Sequence, residues 1–433
     1  MILEEIFLME YNFVLRGNVL YTPQCGALSV HPHSYLVCEG GQVAGIFEEL
    51  PEAYRNFPVE DFGDKMILPG LVDLHVHAGQ YAFRGLGMDQ ELLAWLEQNA
   101  FPEESRFADA SYAARAYPIF VDALRRGATT RACIFATLHR PATLQLMQLL
   151  EDAGMPCYVG KVNMDRNASD ALLEADAAAS LRATEEWLDA VKGKYLRTTP
   201  ILTPRFVPSC TDALLDGLGE IQRRRGLPVQ SHLSENRGEV KWVKELCPWS
   251  SCYADAYDRF GLFGGPGCPT IMAHCVLSGE EEVALMKERG VYVAHCPQSN
   301  TNLASGVAPV RRYLEQGLRL GLGSDVAGGN QMSIFRAMAD AIQASKLRWR
   351  LQDESLAPLT VPEVFWMGTM GGGSFFGKVG SFEAGYELDA VVLNDARLCS
   401  VRRFSVEERL ERMIYLAEEC GVEAKFAAGT QLF

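Results

Sequence analysis

The 433-residue sequence has no apolar run approaching the roughly 18 residues that a membrane span needs, so no membrane association is expected. It also has no excess of positive charge: 40 basic residues stand against 55 acidic ones, a formal net charge of −15. Nucleic acid needs a basic footprint, so no nucleic-acid partner is expected, and only a local basic pocket for a small ligand stays open. The twelve cysteines include no C-x-x-C pair, which excludes a zinc knuckle and a thioredoxin-type redox motif. Several of them, Cys133, Cys157, Cys275 and Cys296, lie inside apolar runs and read as buried reduced thiols. The opening segment MILEEIFLMEYNF is acidic and lacks the basic stretch and cleavage site of a signal peptide. A cytoplasmic location is expected.

What is present is an ordinary globular composition, 48% hydrophobic and 22% charged, with enough apolar residues for a sizeable core. From about Gly127 short apolar runs alternate with amphipathic stretches; the runs are 128–136, 157–164, 198–206, 227–232, 270–276, 291–296 and 318–325. With 71–77 they make eight strand-like segments, most of them followed by a helical pattern, and the Ala- and Asp-rich stretch 165–190 also has helical periodicity. Alternating β and α units imply parallel strands. The expected fold is therefore α/β, a TIM-like (β/α)8 barrel over residues 66–379. Residues 1–65 and 380–433 contain Gly- and Pro-punctuated short strands and are expected to meet in one small β-sandwich formed from both termini.

Four segments bring chemistry to strand ends: Leu71-Val-Asp-Leu-His-Val-His77, Val229-Gln-Ser-His-Leu-Ser-Glu235, Ile271-Met-Ala-His274 and Leu322-Gly-Ser-Asp325. Side chains two apart on a strand share a face, so His75 and His77 can grip one ion. His232 and Asp325 would complete a three-nitrogen, one-oxygen set of the kind zinc accepts. Glu235 and His274 are left as acid/base groups beside a metal-activated water, which makes this a hydrolytic site. Residues three apart on a straight strand face opposite ways, so the chain must turn after His232 for Glu235 to reach the same place. Asp325 has a competing role as a helix N-cap, but Val-Ala-Gly-Gly is a poor first helical turn. In (β/α)8 barrels the catalytic face is the one at the C-terminal strand ends, where these residues fall.

These segments, together with Leu68-Pro-Gly, Val293-Ala-His-Cys-Pro-Gln-Ser-Asn300, Gly323-Ser-Asp-Val-Ala-Gly328 and a closing Gly-x-Phe-x-x-Gly at 380–385, resemble the amidohydrolase superfamily over nearly the whole chain. Three narrower segments resemble its guanine-deaminating members: His77-Ala-Gly-Gln-Tyr81, Thr203-Pro-Arg-Phe206 and His232-Leu-Ser-Glu-Asn-Arg-Gly-Glu-Val240. Gly79 stands where a serine is common in that group. The resemblance implies hydrolysis of guanine to xanthine and ammonia, with a free nucleobase as the small-molecule substrate. It implies Gln80, Arg205 and Phe206 as substrate-binding residues beside His232, Glu235 and Asp325. It further implies Glu235, Asp325 and His274 as the catalytic groups, and a homodimer. The expected metal is one Zn2+ per chain on His75, His77, His232 and Asp325, with Fe2+ or Mn2+ as alternatives. Two-metal barrels bridge their ions with a lysine at the end of the fourth strand, where this chain carries Arg205; Lys161 lies in the third.

Competing readings follow from the same residues. Another aminohydrolase of this architecture, acting on a triazine, a pterin or an adenosyl thioether, would keep the metal set without needing Gln80 and Arg205 together. A silent scaffold would be expected to have lost metal ligands, and all four stand. His139 ends the second strand and is a candidate ligand contact. His295 reads as structural, and His31 and His33 as solvent-facing. Trp95 and Phe101 fit either the substrate's ring face or an ordinary core.

Overall fold

The apolar segments of residues 13–39, turned at Gly26, build a hairpin of long strands. Strand β1 (Phe13–Gln24) pairs antiparallel with β2 (Ala27–Glu39), and β3 (Gln42–Phe47) extends the far edge. Strand β4 (Val59–Pro69) runs parallel to β1 and passes through Gly70 into β5 (Leu71–His77). A Cβ at Gly70 would lie 2.1 Å from Thr130 Oγ1, so only glycine lets the two strands approach there. The computed structural model describes residues 11–433; the first ten residues of the acidic opening segment lie outside the described residues.

All eight apolar runs form parallel strands. Strands β5, β6 (Thr129–Phe135), β7 (Cys157–Gly160) and β9 (Thr198–Pro200) make one four-stranded sheet. The third and fourth runs each break in two, so that β8 (Val162–Asn163) and β10 (Thr203–Pro204) continue them and pair with each other. Pro200 and Pro204 lack the N–H that an unbroken ladder would use. Strands β11 (Val229–Leu233), β12 (Thr270–His274), β13 (Tyr292–His295) and β14 (Arg319–Leu322) make a second four-stranded parallel sheet. The two sheets touch at both margins: Leu202 bridges Val229, and beyond β14 the Asp325 N–H donates to the His75 carbonyl at 2.8 Å.

Helices follow the strands and bury one stripe each. The helix Ala110–Arg126 buries Ala113, Tyr117, Phe120, Val121 and Leu124, the three-to-four spacing of an amphipathic face. Asp109, Asp176, Thr211 and Ser333 each accept an N–H in the first turn of the helix that follows, supplying partners the backbone cannot. The Ala-rich stretch is helical only over Ala177–Val191. Its first part is instead loop with a short 3₁₀ turn at Asp170–Leu172, held where Asp165 accepts the Thr211 N–H at 2.7 Å.

The C-terminal strands β15 (Ala390–Asn394), β16 (Gly421–Ala427) and β17 (Thr430–Gln431) return to the N-terminal ones. Strand β15 lies antiparallel to β4, giving one seven-stranded sheet in the order β17-β16-β15-β4-β1-β2-β3. Its core includes Phe13, Leu15, Leu36, Ile67, Val392 and Phe426, with the Phe13 and Phe426 rings stacked 5.1 Å apart. A buried ion pair, Arg131 with Asp389, and a buried lysine fasten this sheet to the parallel strands. Arg131 on β6 donates to Asp389 at 2.7 Å and to Glu387 at 2.7 Å. Lys425 Nζ donates to the carbonyls of Leu124, Arg125 and Gly127, which are end groups of a helix left without intrahelical partners.

Candidate active site

Strand β5 places His75 and His77 on one face as their spacing requires, and both are buried. Their Nε2 atoms lie 3.2 Å apart, and His77 Nε2 is 3.3 Å from His232 Nε2 at the end of β11. Asp325 Oδ1 sits 3.1 Å from His75 Nε2 and 3.4 Å from His77 Nε2. Four donor atoms held about 2.0–2.1 Å from one ion at tetrahedral angles would stand roughly 3.3–3.4 Å from one another. These four of the six spacings fit that cage; the donor atoms of His75, His77 and His232 lie within 4.8 Å of one another, as do those of His75, His274 and Asp325. His232 Nδ1 is 2.6 Å from the Arg205 carbonyl, which can only accept; the ring proton is therefore on Nδ1 and the Nε2 lone pair faces the cluster.

Electrostatics agree with a cation-binding set. Burial lowers the pKa of His75, His77 and His232, and the rings depress one another further, so they are neutral donors. Burial pushes the Asp325 carboxyl up, but the neighbouring His75, His274 and His77 outweigh it and hold the group far below the usual carboxylate range. Asp73 locks the geometry from behind. Its Oδ1 accepts the N–H groups of His75 (3.1 Å) and Ser324 (3.0 Å), and its Oδ2 accepts the Ser324 hydroxyl at 2.5 Å.

The turn required after His232 is present: Ser234 takes φ +47°, a left-handed conformation rare outside glycine. It brings Glu235 into the site, with Oε2 3.4 Å from His274 Nε2 and Oε1 accepting from the Ser305 hydroxyl at 3.2 Å. Burial, reinforced by the Asp325 charge, pushes the Glu235 carboxyl well up. His274 Nε2 lies 3.8 Å from Asp325 Oδ2, while its Nδ1 is 2.9 Å from Asn300 Oδ1. Asp325 caps no helix; the next one begins at Ile334 behind its own cap Ser333.

These groups border one open pocket, whose empty space with the adjoining solvent is about 420 Å³. Gln80, Arg205, Phe206 and Trp95 line it with Leu92, Leu96 and Leu303. Trp95 thus faces the pocket, whereas Phe101 lies over the Arg205 guanidinium, 5.1 Å from it. The expected Arg205 donors are partly engaged already: Arg205 pairs with Glu104, Nη1 to Oε2 at 2.5 Å and Nη2 to Oε1 at 3.0 Å. The sequence reasoning missed Glu104, for its segment Phe-Pro-Glu-Glu-Ser reads as an ordinary solvated helix and its partner lies 101 residues away. Asn300 and Asp73 were missed for the same reason of distance.

Other candidates fall elsewhere. His139 lines a separate cavity with Glu174 and Arg140. Lys161 is buried and paired with Glu174 at 2.6 Å. His295 is buried on β13 and is absent from the pocket lining. His33 is exposed and His31 half-buried, both on β2. The glycine at 79 has a local reason: a Cβ there would come within 2.8 Å of Thr137 Cγ2 and 3.6 Å of Glu104 Cγ.

A family model described as the amidohydrolase family matches residues 66–431. Guanine deaminase of Dictyostelium discoideum is 33% identical over 98% of this chain and 100% of its own length. Guanine deaminase of Mus musculus is 36% identical over 97% and 96%. Among solved structures, guanine deaminase from C. acetobutylicum with guanine bound in its active site superposes with a TM-score of 0.94 at 44% identity, covering 98% of this chain and 100% of that one.

Proposed function

This chain belongs to the amidohydrolase family and, within it, to the guanine deaminases, and from that premise we propose how its own residues carry the hydrolysis of guanine to xanthine and ammonia. The observation that carries the reading is the convergence of Gln80 and Arg205 on the same pocket as the buried histidines, Glu235 and Asp325. His75, His77, His232 and Asp325 would hold one divalent ion, zinc before Fe2+ or Mn2+. When bound, zinc acidifies a water to a pKa of about 7 and so supplies a hydrolytic nucleophile at neutral pH.

Asp325, ionised among its histidines, accepts the proton of the attacking water. His274, 3.8 Å from Asp325 Oδ2, orients that water. Glu235, its carboxyl pushed well up by burial and by the Asp325 charge, donates to the ring nitrogen beside C2 and then carries a proton to the departing amine. Two carboxyl groups in one site, driven apart in acidity by their surroundings, divide the acid and base work between them. Arg205 donates to the O6 acceptor, Gln80 reads the amide-like edge, and Phe206 packs on the ring. Adenine presents an amine where guanine has O6, so the arginine donors select against it.

The same reading takes the two four-stranded parallel sheets as halves of a closed (β/α)8 barrel over 66–379, supported by their contacts at both margins. The accessory β domain proposed for the two terminal regions, 1–65 and 380–433, takes the one seven-stranded sheet of the described residues as its frame, in place of the two stacked sheets of a sandwich. No described helix is long and apolar enough to cross a membrane. A cytoplasmic homodimer acting on free base in purine catabolism, with no nucleic-acid partner, fits the family and the net charge of −15. The test is ammonia release from guanine, adenine, cytosine, 8-oxoguanine and melamine. Guanine is expected to lead the panel; a preference for melamine would move the substrate to the triazines.

A further inference from the structure

Gln80 follows the first parallel strand and Arg205 the fourth, yet both end on one carboxylate. Glu104 Oε1 accepts from Gln80 Nε2 at 2.7 Å and from Arg205 Nη2 at 3.0 Å, and its Oε2 accepts from Arg205 Nη1 at 2.5 Å. On the other side, Gln80 Oε1 accepts the Ala327 N–H at 3.0 Å. All three side chains are buried to within 3% exposure, so water cannot replace these partners. A carboxylate only accepts and a backbone N–H only donates, so a reversed Gln80 amide would meet repulsion at both ends. Its orientation is fixed.

Glu104 rides on the short helix Phe101–Ser105. Phe101 and Glu104 are three apart and share a face, so one turn covers the flat side of the Arg205 guanidinium with a ring and grips its edge with a carboxylate. Glu104 itself is absent from the pocket lining, while Gln80 and Arg205 are present. Its action passes through them.

We propose that Glu104 is the positioning residue for base selection: one buried carboxylate fixes the Gln80 amide and the Arg205 guanidinium together, so that only their remaining hydrogen-bonding groups meet the purine edge. This rests on the guanine deaminase reading. Without Glu104 the guanidinium keeps its charge in a buried pocket and is free to turn toward the carboxyls of Glu235 and Asp325, which line the same cavity.

Glu104→Asp separates this role from simple stability. Aspartate keeps the negative charge but is one methylene too short to serve both partners. The expected result is a guanine KM raised roughly 10–100-fold, the range of one lost charge-assisted hydrogen bond, with kcat and bound metal changing far less. The preference for guanine, read against the Ki of adenine as competitor, should fall with it. A second variant, Glu104→Ala with Arg205→Ala, removes both charges and leaves none unpaired; its guanine KM should be no worse than that of Arg205→Ala alone. Wild-type KM and base preference in metal-replete Glu104→Asp, a loss confined to kcat, or additive effects in the double variant would each overturn the proposal. Failure of the wild type to release ammonia from guanine would instead overturn the functional reading beneath it.

Discussion

The two walls of the pocket are built on different principles. The wall proposed to bind the metal comes from strand ends, where His75 and His77 are fixed by the two-residue repeat of β5 and Asp325 by a backbone bond to that same strand. The wall proposed to read the base comes from the 3₁₀ helix Ala78–Phe83, the loop after β10 and a five-residue helix, and its Gln80 and Arg205 side chains share one carboxylate. The first wall inherits its geometry from backbone hydrogen bonds. The second depends on side-chain pairing in a buried place, where losing one partner costs far more than a surface pair is worth. Chemistry should therefore be robust to changes in the base-reading wall, and base selection fragile.

Glu235→Gln should break the first wall's function with the largest effect. Metal content and guanine binding are retained, and kcat falls about 10²–10⁴-fold, the usual contribution of a positioned acid or base. Steady-state kinetics beside elemental analysis and equilibrium binding check this; near-normal kcat with metal bound removes Glu235 as the proton shuttle.

Arg205→Ala should break the second wall. It leaves the Glu104 carboxylate buried without its ion partner, a loss of about 3–5 kcal/mol where a buried pair is cut on one side. A denaturant midpoint well below wild type is expected, together with a raised guanine KM and a lower guanine-to-adenine ratio. An unchanged ratio would reduce Arg205 to a structural role.

How far each wall could be read from sequence follows from the same difference. The histidine pair was legible because strand register is local, and the turn after His232 was legible because Glu235 lay on the wrong face of a straight strand; Ser234 supplies that turn at φ +47°. Asp325 was legible because Val-Ala-Gly-Gly starts no helix. Glu104 was not legible, since nothing within its own segment marks a residue whose partners lie 24 and 101 positions away. Asp73 meets Ser324 across 251 positions, and only the fold brings them together. The eight parallel strands were legible by their apolar runs, whereas the breaks between β7 and β8 and between β9 and β10 were not, because Gly160-Lys161 and Pro200-Ile-Leu-Thr203 lie inside runs that the pattern alone reads as single strands.

Asp73→Asn sharpens the contrast from inside the first wall. The variant loses one acceptor for the Ser324 groups and loosens Asp325, so metal affinity should fall roughly 10–100-fold, as for other groups that orient ligands from behind. Chelator competition reads this directly, and the guanine KM of the metal-saturated variant should stay near wild type.

Lys425 lies outside both walls and gives the smallest effect, as a control. Burial lowers its pKa from 10.5 to about 7, so between about pH 7 and 10.5 the unfolded chain binds more protons than the folded one. Stability from this group therefore rises with pH across that window, and the penalty is fully present below it. Lys425→Met should flatten that rise in denaturation midpoints while leaving the guanine-to-adenine ratio untouched.

The most direct test of the whole account is to strip the protein of metal and titrate zinc back while measuring ammonia release from guanine. Activity rising in proportion to zinc and levelling at one equivalent per chain is the predicted result. A plateau at two equivalents, or no ammonia from guanine at any zinc level, would contradict it.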